Sequence, residues 1–361
     1  MATKRILLLM DNRADSNWGS QATTSALFRL LSEAFPGAEV RGVPRSACRP
    51  SGGFSRWLAT ALAPGLVTGN GSRWALEALT RAWREDFEWA DLVVVNGEGT
   101  LHPQPQALRW VCAVTALARR NKKPFWVVNC SLRCRGDRTE PLFAAFFREA
   151  EHVAAREPAS FREMQAIGAD PVQAADCAWL TEPAPVEEAR QIVSAAGIRG
   201  KFAVMTGSAS VHRWPMEHQT QVVAALRARG LEVLYTHSDR RDVENLASLK
   251  VELPVVTHRE ATFQQLTAIQ SLAGIVVGGR FHPTILAALV GTPFVAVPSN
   301  THKMAGLMEM LDAGKLLCDF SSLEKVIPTI NGVLDEREKW SAHLSARARE
   351  IVPLARLNVK P

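Results

Sequence analysis

Short apolar runs alternate along the chain with stretches whose apolar positions recur three and four apart. That rhythm predicts strands followed by amphipathic helices on a parallel sheet. RILLLM (5–10), DLVVVNGEG (91–99) and PFWVVNCSL (124–132) read as strands, and AEVRGVP as a further one. SQATTSALFRLLSEAFPG reads as a helix ending at Gly37, and QALRWVCAVTALARR as another. HVAAREPASFREMQAIG holds a short strand, a turn and a helix stopped by Gly168, and PVQAADCAWL returns to the sheet. TEPAPVEEARQ (181–191), rich in Pro and Glu, reads as a connection. The rhythm then restarts with strands at KFAVMTG (201–207), LEVLYTHS (231–238), LPVVT (253–257), LAGIVVGG (272–279) and PFVAVPS (293–299). DEREKWSAHLSARAREIVPLARL reads as an amphipathic helix.

These elements predict an α/β chain of two doubly wound domains with a cleft between them, residues 1–190 and 191–361. Ligands of open parallel sheets sit outside the carboxyl ends of strands. This rule selects the turns at 17–21, 96–102, 129–133, 207–213, 237–240 and 279–282, together with Arg156. Residues 41–90 fit least well. Arg41, Arg45, Arg49 and Arg56 surround SGGFS, and Trp57, Trp74, Trp83 and Trp89 follow on expected helices. Such an insertion suits a lipid headgroup or a glycan, while the plainer reading packs the tryptophans on the sheet.

Composition narrows the field only modestly. At 361 residues, 47% hydrophobic and 22% charged, the chain has an ordinary globular composition. Its net charge of +6 favours an anionic partner. The basic residues are scattered and form no nucleic-acid motif, so nucleic acid is not an expected partner. The apolar run in MATKRILLLM is short and lacks a small-residue cleavage site, so it reads as a buried strand. Cys48, Cys112, Cys130, Cys134, Cys177 and Cys318 lack zinc or disulfide spacing. The expectation is a cytoplasmic protein with reduced thiols and no metal.

Candidate chemistry concentrates in GGRFHPTILAALVGTPFVAVPSNTHK (278–303). Gly278 and Gly279 are expected to turn the backbone tightly from a strand into a helix whose free N–H groups favour an anion. Arg280 offers a planar fork, Lys303 a point charge, and His282 an imidazole able to exchange a proton with bound substrate. VVNGEGTLH (94–102) is the N-terminal counterpart, with Gly97 and Gly99 for close backbone approach and Glu98 and His102 as polar groups. It has neither GxGxxG spacing nor a P-loop lysine. In SNWGSQA, Asn17 and Gly19 serve equally as helix cap or ligand contact. Arg156 is open between an anion ligand and an ion-paired strand end.

These segments, in this order, resemble the polysaccharide pyruvyl transferase family. NWGSQA is similar to its N-terminal N-x-G-[DN] turn, with Ser20 where an acid or amide is usual. ADLVVVNGEGTLH resembles its glycine-turn strand, and AAREPASFREMQAIG its arginine-bearing strand with the following helix. GGRFHPTILAALVGTPFVAV resembles its R-x-H helix start, and NTHKMAGLMEML its K-x-x-x-L element. The resemblance implies a two-domain fold similar to GT-B glycosyltransferases. It also implies that Arg156, Arg280, His282 and Lys303 hold phosphoenolpyruvate, with His282 as general acid/base. The donor is a substrate, so no cofactor is expected; the acceptor is a glycan or lipid-linked glycan, which allows peripheral contact with the inner membrane face. Two other readings stay open: a GT-B-like glycosyltransferase using a nucleotide sugar, and a non-catalytic assembly protein.

Overall fold

The protein's structure, a computed structural model, describes residues 3–48, 53–69, 71–99, 101–208, 214–238, 240–247, 249, 251–299 and 301–360. The chain divides into two compact units. Unit 1 comprises Met1–Ala14, Thr23–Cys177 and Leu354–Pro361, and unit 2 comprises Asp15–Ala22 and Ala178–Pro353.

Unit 1 is built on β1 (Arg5–Asp11), β2 (Glu39–Pro44), β3 (Leu92–Asn96), β4 (Phe125–Cys130), β5 (His152–Ala155) and β6 (Val172–Gln173). They form one parallel sheet in the order β2-β1-β3-β4-β5-β6. Its helices are most of α1 (Trp18–Ala34), then α2 (Gly53–Thr68), α3 (Arg73–Thr80), α4 (Arg84–Trp89), α5 (Pro105–Asn121), α6 (Glu140–Glu149) and α7 (Pro158–Ala166). Every residue of β3 and β4 is buried, as expected of strands covered on both faces. Their sequences are therefore continuous apolar runs, without the alternation of a half-exposed sheet.

Unit 2 carries β7 (Phe202–Ser208), β8 (Glu232–His237), β9 (Val255–Thr257), β10 (Val276–Gly279) and β11 (Phe294–Ala296), with α8 (Val186–Ala195), α9 (Met216–Ala228), α10 (Arg240–Ala247) and α11 (Phe263–Leu272). After these come α12 (Phe281–Leu289), α13 (Lys303–Leu311), α14 (Leu323–Asp335) and α15 (Arg337–Ala355). The second sheet is also parallel, in the order β11-β10-β7-β8-β9. The strand order reverses between β1 and β3 in unit 1 and between β7 and β10 in unit 2. In sheets of this kind those reversals are where a crevice opens.

Several details differ from the sequence reading. The connection at 181–191 is irregular only to Pro185, because Val186 already begins α8. The predicted C-terminal helix is α15, and α14, which precedes it, was not read from the sequence. Arg41, by contrast, lies in β2 as the strand reading of AEVRGVP expects, paired with Glu39 at 2.9 Å and stacked 3.8 Å from the Trp89 ring. Trp83 is buried, but Trp57 is 67% and Trp74 47% exposed, so the packing of all four tryptophans on the sheet does not hold. Arg49 lies outside the described residues, as do the turn at 209–213 and residue 239. Among the described residues no helix is long and apolar enough to cross a membrane.

Residues Leu354–Pro361 return to unit 1. Asn358, fully buried, donates from Nδ2 to the carbonyls of Ala175 and Ala355, each at 2.8 Å. Its Oδ1 accepts from the Asn129 backbone N–H at 2.6 Å. His152 bonds the Leu357 carbonyl at 3.0 Å, and burial lowers its imidazole pKa below the usual value.

Candidate functional site

Of the residues singled out from the sequence, Gly97, Glu98, Gly99 and Arg156 belong to unit 1. Asn17, Gly19, Gly279, Arg280, His282 and Lys303 belong to unit 2.

In unit 2 the site grows from the ends of β7 and β10. Gly278 and Gly279 have no positive φ, so the tight-turn expectation fails. Crowding from the neighbouring strand accounts for them. A Cβ on Gly278 would lie 1.9 Å from Thr206 Oγ1, and one on Gly279 would lie 2.4 Å from Ser208 Oγ. Only glycine lets β10 run this close to the hydroxyl-bearing end of β7. Arg280 is then the N-cap residue of α12 with extended backbone, which turns its side chain off the strand. Its Nη2 and Nε donate to Asp242 Oδ1 at 2.6 and 3.1 Å.

His282 occupies the first turn of α12 and is buried. The first turn of α1 lies against it: a Cβ on Gly19 would stand 2.0 Å from His282 Nδ1. Gly19 has no positive φ either, so its missing side chain makes room for the imidazole. Two contacts fix that turn. Asn17 Oδ1 accepts from the N–H groups of Gly19 and Ser20 at 2.9 and 3.2 Å, a capping arrangement. The buried Trp18 donates from Nε1 to the Ala261 carbonyl at 2.7 Å.

Lys303 opens α13, and its Nζ lies 5.5 Å from the centre of the Phe281 ring. That ring meets the His282 ring edge-on at 5.3 Å. A cation at a helix N-terminus opposes the helix dipole, so Lys303 is placed against its local electrostatic preference. None of α1, α12 and α13 has an acidic residue in its first turn. The first turns of α1 and α12 therefore meet at His282, with Arg280 at the N-cap of α12 and Lys303, at the start of α13, reaching the Phe281 ring. Backbone N–H groups of two helix starts are thereby brought together with two cationic side chains, one of them ion-paired with Asp242.

In unit 1 the corresponding reversal is lined differently. Gly97 is held by packing, since its Cβ would meet Cys130 Cβ at 2.8 Å, whereas Gly99 has φ +62 and turns the chain. Glu98 is buried, and its Oε2 accepts from Asn12 Nδ2 at 3.4 Å and Thr23 Oγ1 at 3.3 Å. The Glu98 backbone N–H donates to Asn96 Oδ1 at 3.3 Å, and Asn129 Nδ2 donates to that same oxygen at 3.3 Å. Asn129, with φ +52, also accepts from the Cys177 N–H at 2.9 Å. Arg156 follows β5 as a fully buried side chain. It donates from Nη1 to Asp176 Oδ2 and from Nε to Ser131 Oγ, both at 2.8 Å. Arg156 is thus ion-paired at the end of its strand. Burial pushes the neighbouring Cys130 and Cys177 thiols far up, with Arg156 opposing the shift.

Asp242 was not legible as a site residue. It sits in SDRRDVENL, a stretch rich in charged residues, yet its side chain is 2% exposed. The turns beginning at Asn96 and Asn129 were selected from the sequence, but their closure with Asn12 and Glu98 into a buried cluster was not legible there.

The family model described as polysaccharide pyruvyl transferase matches residues 17–301. No curated protein matches by sequence. Among solved structures, the S. aureus MnaA–UDP co-structure superposes with TM-score 0.63 at 14% identity, over 97% of this chain and 95% of that one. The Methanocaldococcus jannaschii UDP-GlcNAc 2-epimerase in complex with UDP-GlcNAc and UDP gives 0.60 at 13%, over 98% and 99%. Anabaena HepE in complex with UDP-glucose gives 0.61 at 13%, over 97% and 95%. At such identities the likeness concerns the fold, a GT-B-like pairing of Rossmann-like domains.

Proposed function

The chain belongs to the polysaccharide pyruvyl transferase family, and on that premise we propose that unit 2 binds phosphoenolpyruvate and transfers its pyruvyl group to a glycan as a ketal. The observation that carries this reading is the meeting of the first turns of α1 and α12 at the buried His282, with Arg280 at the N-cap of α12 and Lys303 Nζ 5.5 Å from the Phe281 ring. Phosphoenolpyruvate presents a carboxylate and a phosphate on one small carbon frame. Helix-start N–H groups, a guanidinium and an ammonium suit that double charge.

In the proposed reaction a proton adds to the methylene carbon, and an acceptor hydroxyl attacks C2. The C2–O bond to phosphate breaks, and a second hydroxyl closes the ketal. Of the two hydroxyl protons, one ends on the new methyl group and one on the departing phosphate, so no oxidant or reductant is consumed. His282 carries the proton, while Arg280 and Lys303 stabilise the phosphate as charge builds on it. Arg156, bonded to Ser131 and Asp176, holds the ends of β4 and β5 in unit 1. In the same reading unit 1 is the acceptor side, where Glu98, Gly97 and Gly99 meet sugar hydroxyls. A lipid-linked acceptor would bring the protein to a membrane surface.

The test is incubation with phosphoenolpyruvate and a panel of glycans, following phosphate release and acceptor mass together. Phosphate released in step with a pyruvyl mass gain on the acceptor is expected. Release with no such gain, or no release with any glycan, would end the assignment.

A further inference from the structure

Asp242 is buried at the junction of β7, α10 and the start of α12, and three independent features converge on its carboxylate. Its Oδ1 accepts two donors from one edge of the Arg280 guanidinium, at 2.6 and 3.1 Å. Arg280 is itself only 14% exposed. Gly207, at the end of β7, leaves the space the carboxylate fills: a Cβ there would stand 1.7 Å from Oδ1. Tyr235 of β8 is also buried nearby; burial first, and then the charge of Asp242, raise its hydroxyl pKa, so it stays neutral.

We propose that Asp242 is a positioning residue for phosphoenolpyruvate binding, holding the Arg280 fork in one orientation so that the guanidinium meets the donor without reorganising. This rests on the function proposed above. An arginine carries five N–H donors in a rigid plane, so anchoring one edge fixes the direction of the other. A ligand that finds the fork already aimed does not spend binding free energy on ordering it. Gly207 is part of the same device, because any side chain there displaces the carboxylate.

The charge argument alone predicts the opposite sign. Removing a carboxylate makes the pocket more positive, so if Asp242 served only to neutralise Arg280, Asp242→Asn would bind phosphoenolpyruvate more tightly. If it positions Arg280, the same variant binds more weakly. Affinities of the wild type, Asp242→Asn, Gly207→Ala and the double variant would be measured by calorimetry, with thermal melts as a folding control.

The expected result is a loss of about tenfold or more in each single variant, with the double variant no worse than Asp242→Asn, since residues acting through one contact are not additive. Gly207→Ala keeps the question answerable if the Asp242 variant does not fold. Unchanged or tighter binding in folded variants, or additive losses, would overturn the positioning role while leaving the transferase reading intact. A wild type that does not bind phosphoenolpyruvate would overturn both.

Discussion

The reversals of strand order in the two sheets occupy equivalent places, yet they are lined with opposite chemistry. Between β1 and β3, Asn12, Asn96, Glu98 and Asn129 bond largely to one another and to backbone. Between β7 and β10, the lining is a caged arginine, with a histidine and a lysine nearby. The backbone supplies the same crevice both times; the first few residues after each strand decide what it can hold. In unit 1 that lining mainly ties strand ends together. In unit 2 it sets an ion-paired arginine and a histidine where a helix begins.

This contrast yields an expectation about which site carries reaction and which carries stability. The largest effect should come from His282→Ala. Turnover should fall by about 10²–10⁴-fold, the usual contribution of a positioned acid–base group, with little change in the melting temperature. Near-normal turnover would remove His282 from the mechanism, and a large loss of stability would erase the contrast.

The next effect lies in unit 1. Asn358→Ala removes two donors and one acceptor from a fully buried cluster. It should lower unfolding free energy by about 2–3 kcal/mol, since the stranded partners lose their bonds without regaining water. Urea unfolding measures this, and phosphoenolpyruvate affinity of the folded fraction should not move. An affinity loss matching that of a unit 2 variant would show that the division of labour is false.

The smallest effect is a pH dependence. Burial depresses the His152 pKa, so the folded protein resists protonating it while the unfolded chain titrates near the ordinary 6.5. The unfolded state then binds more protons as pH falls below that value. Stability from this residue is therefore present above about pH 6.5 and lost as pH drops toward the folded value, with a slope of at most about 1.4 kcal/mol per pH unit. His152→Gln should flatten the fall in stability between pH 7 and 5. An unchanged profile would assign the acid sensitivity to other groups.

The parallel strands were legible because buried strands are continuous apolar runs, and RILLLM and DLVVVN announce themselves. The basic helix start at 280–303 was legible because its chemistry is local in sequence. What depends on distant partners was not. Asp242 looks like surface until Arg280 is placed 38 positions away. Gly278, Gly279 and Gly19 were visible as glycines, but the sequence suggests flexible turns where the structure requires room for Thr206, Ser208 and His282. The α6 helix, EPLFAAFFRE, follows an ill-defined turn and its period is short, so it escaped the pattern that found its neighbours.

The return of the chain to unit 1 bears on how the protein is made. Residues 354–361 follow the whole of 178–353 in synthesis order. While the ribosome is still translating unit 2, the N–H of Asn129 and the carbonyl of Ala175 lack the Asn358 amide that they bind in the finished molecule. The nascent first unit thus waits, incompletely closed, for residues that follow unit 2 in the chain. Its folding should finish after unit 2 has emerged, reversing the order in which the two sheets are translated.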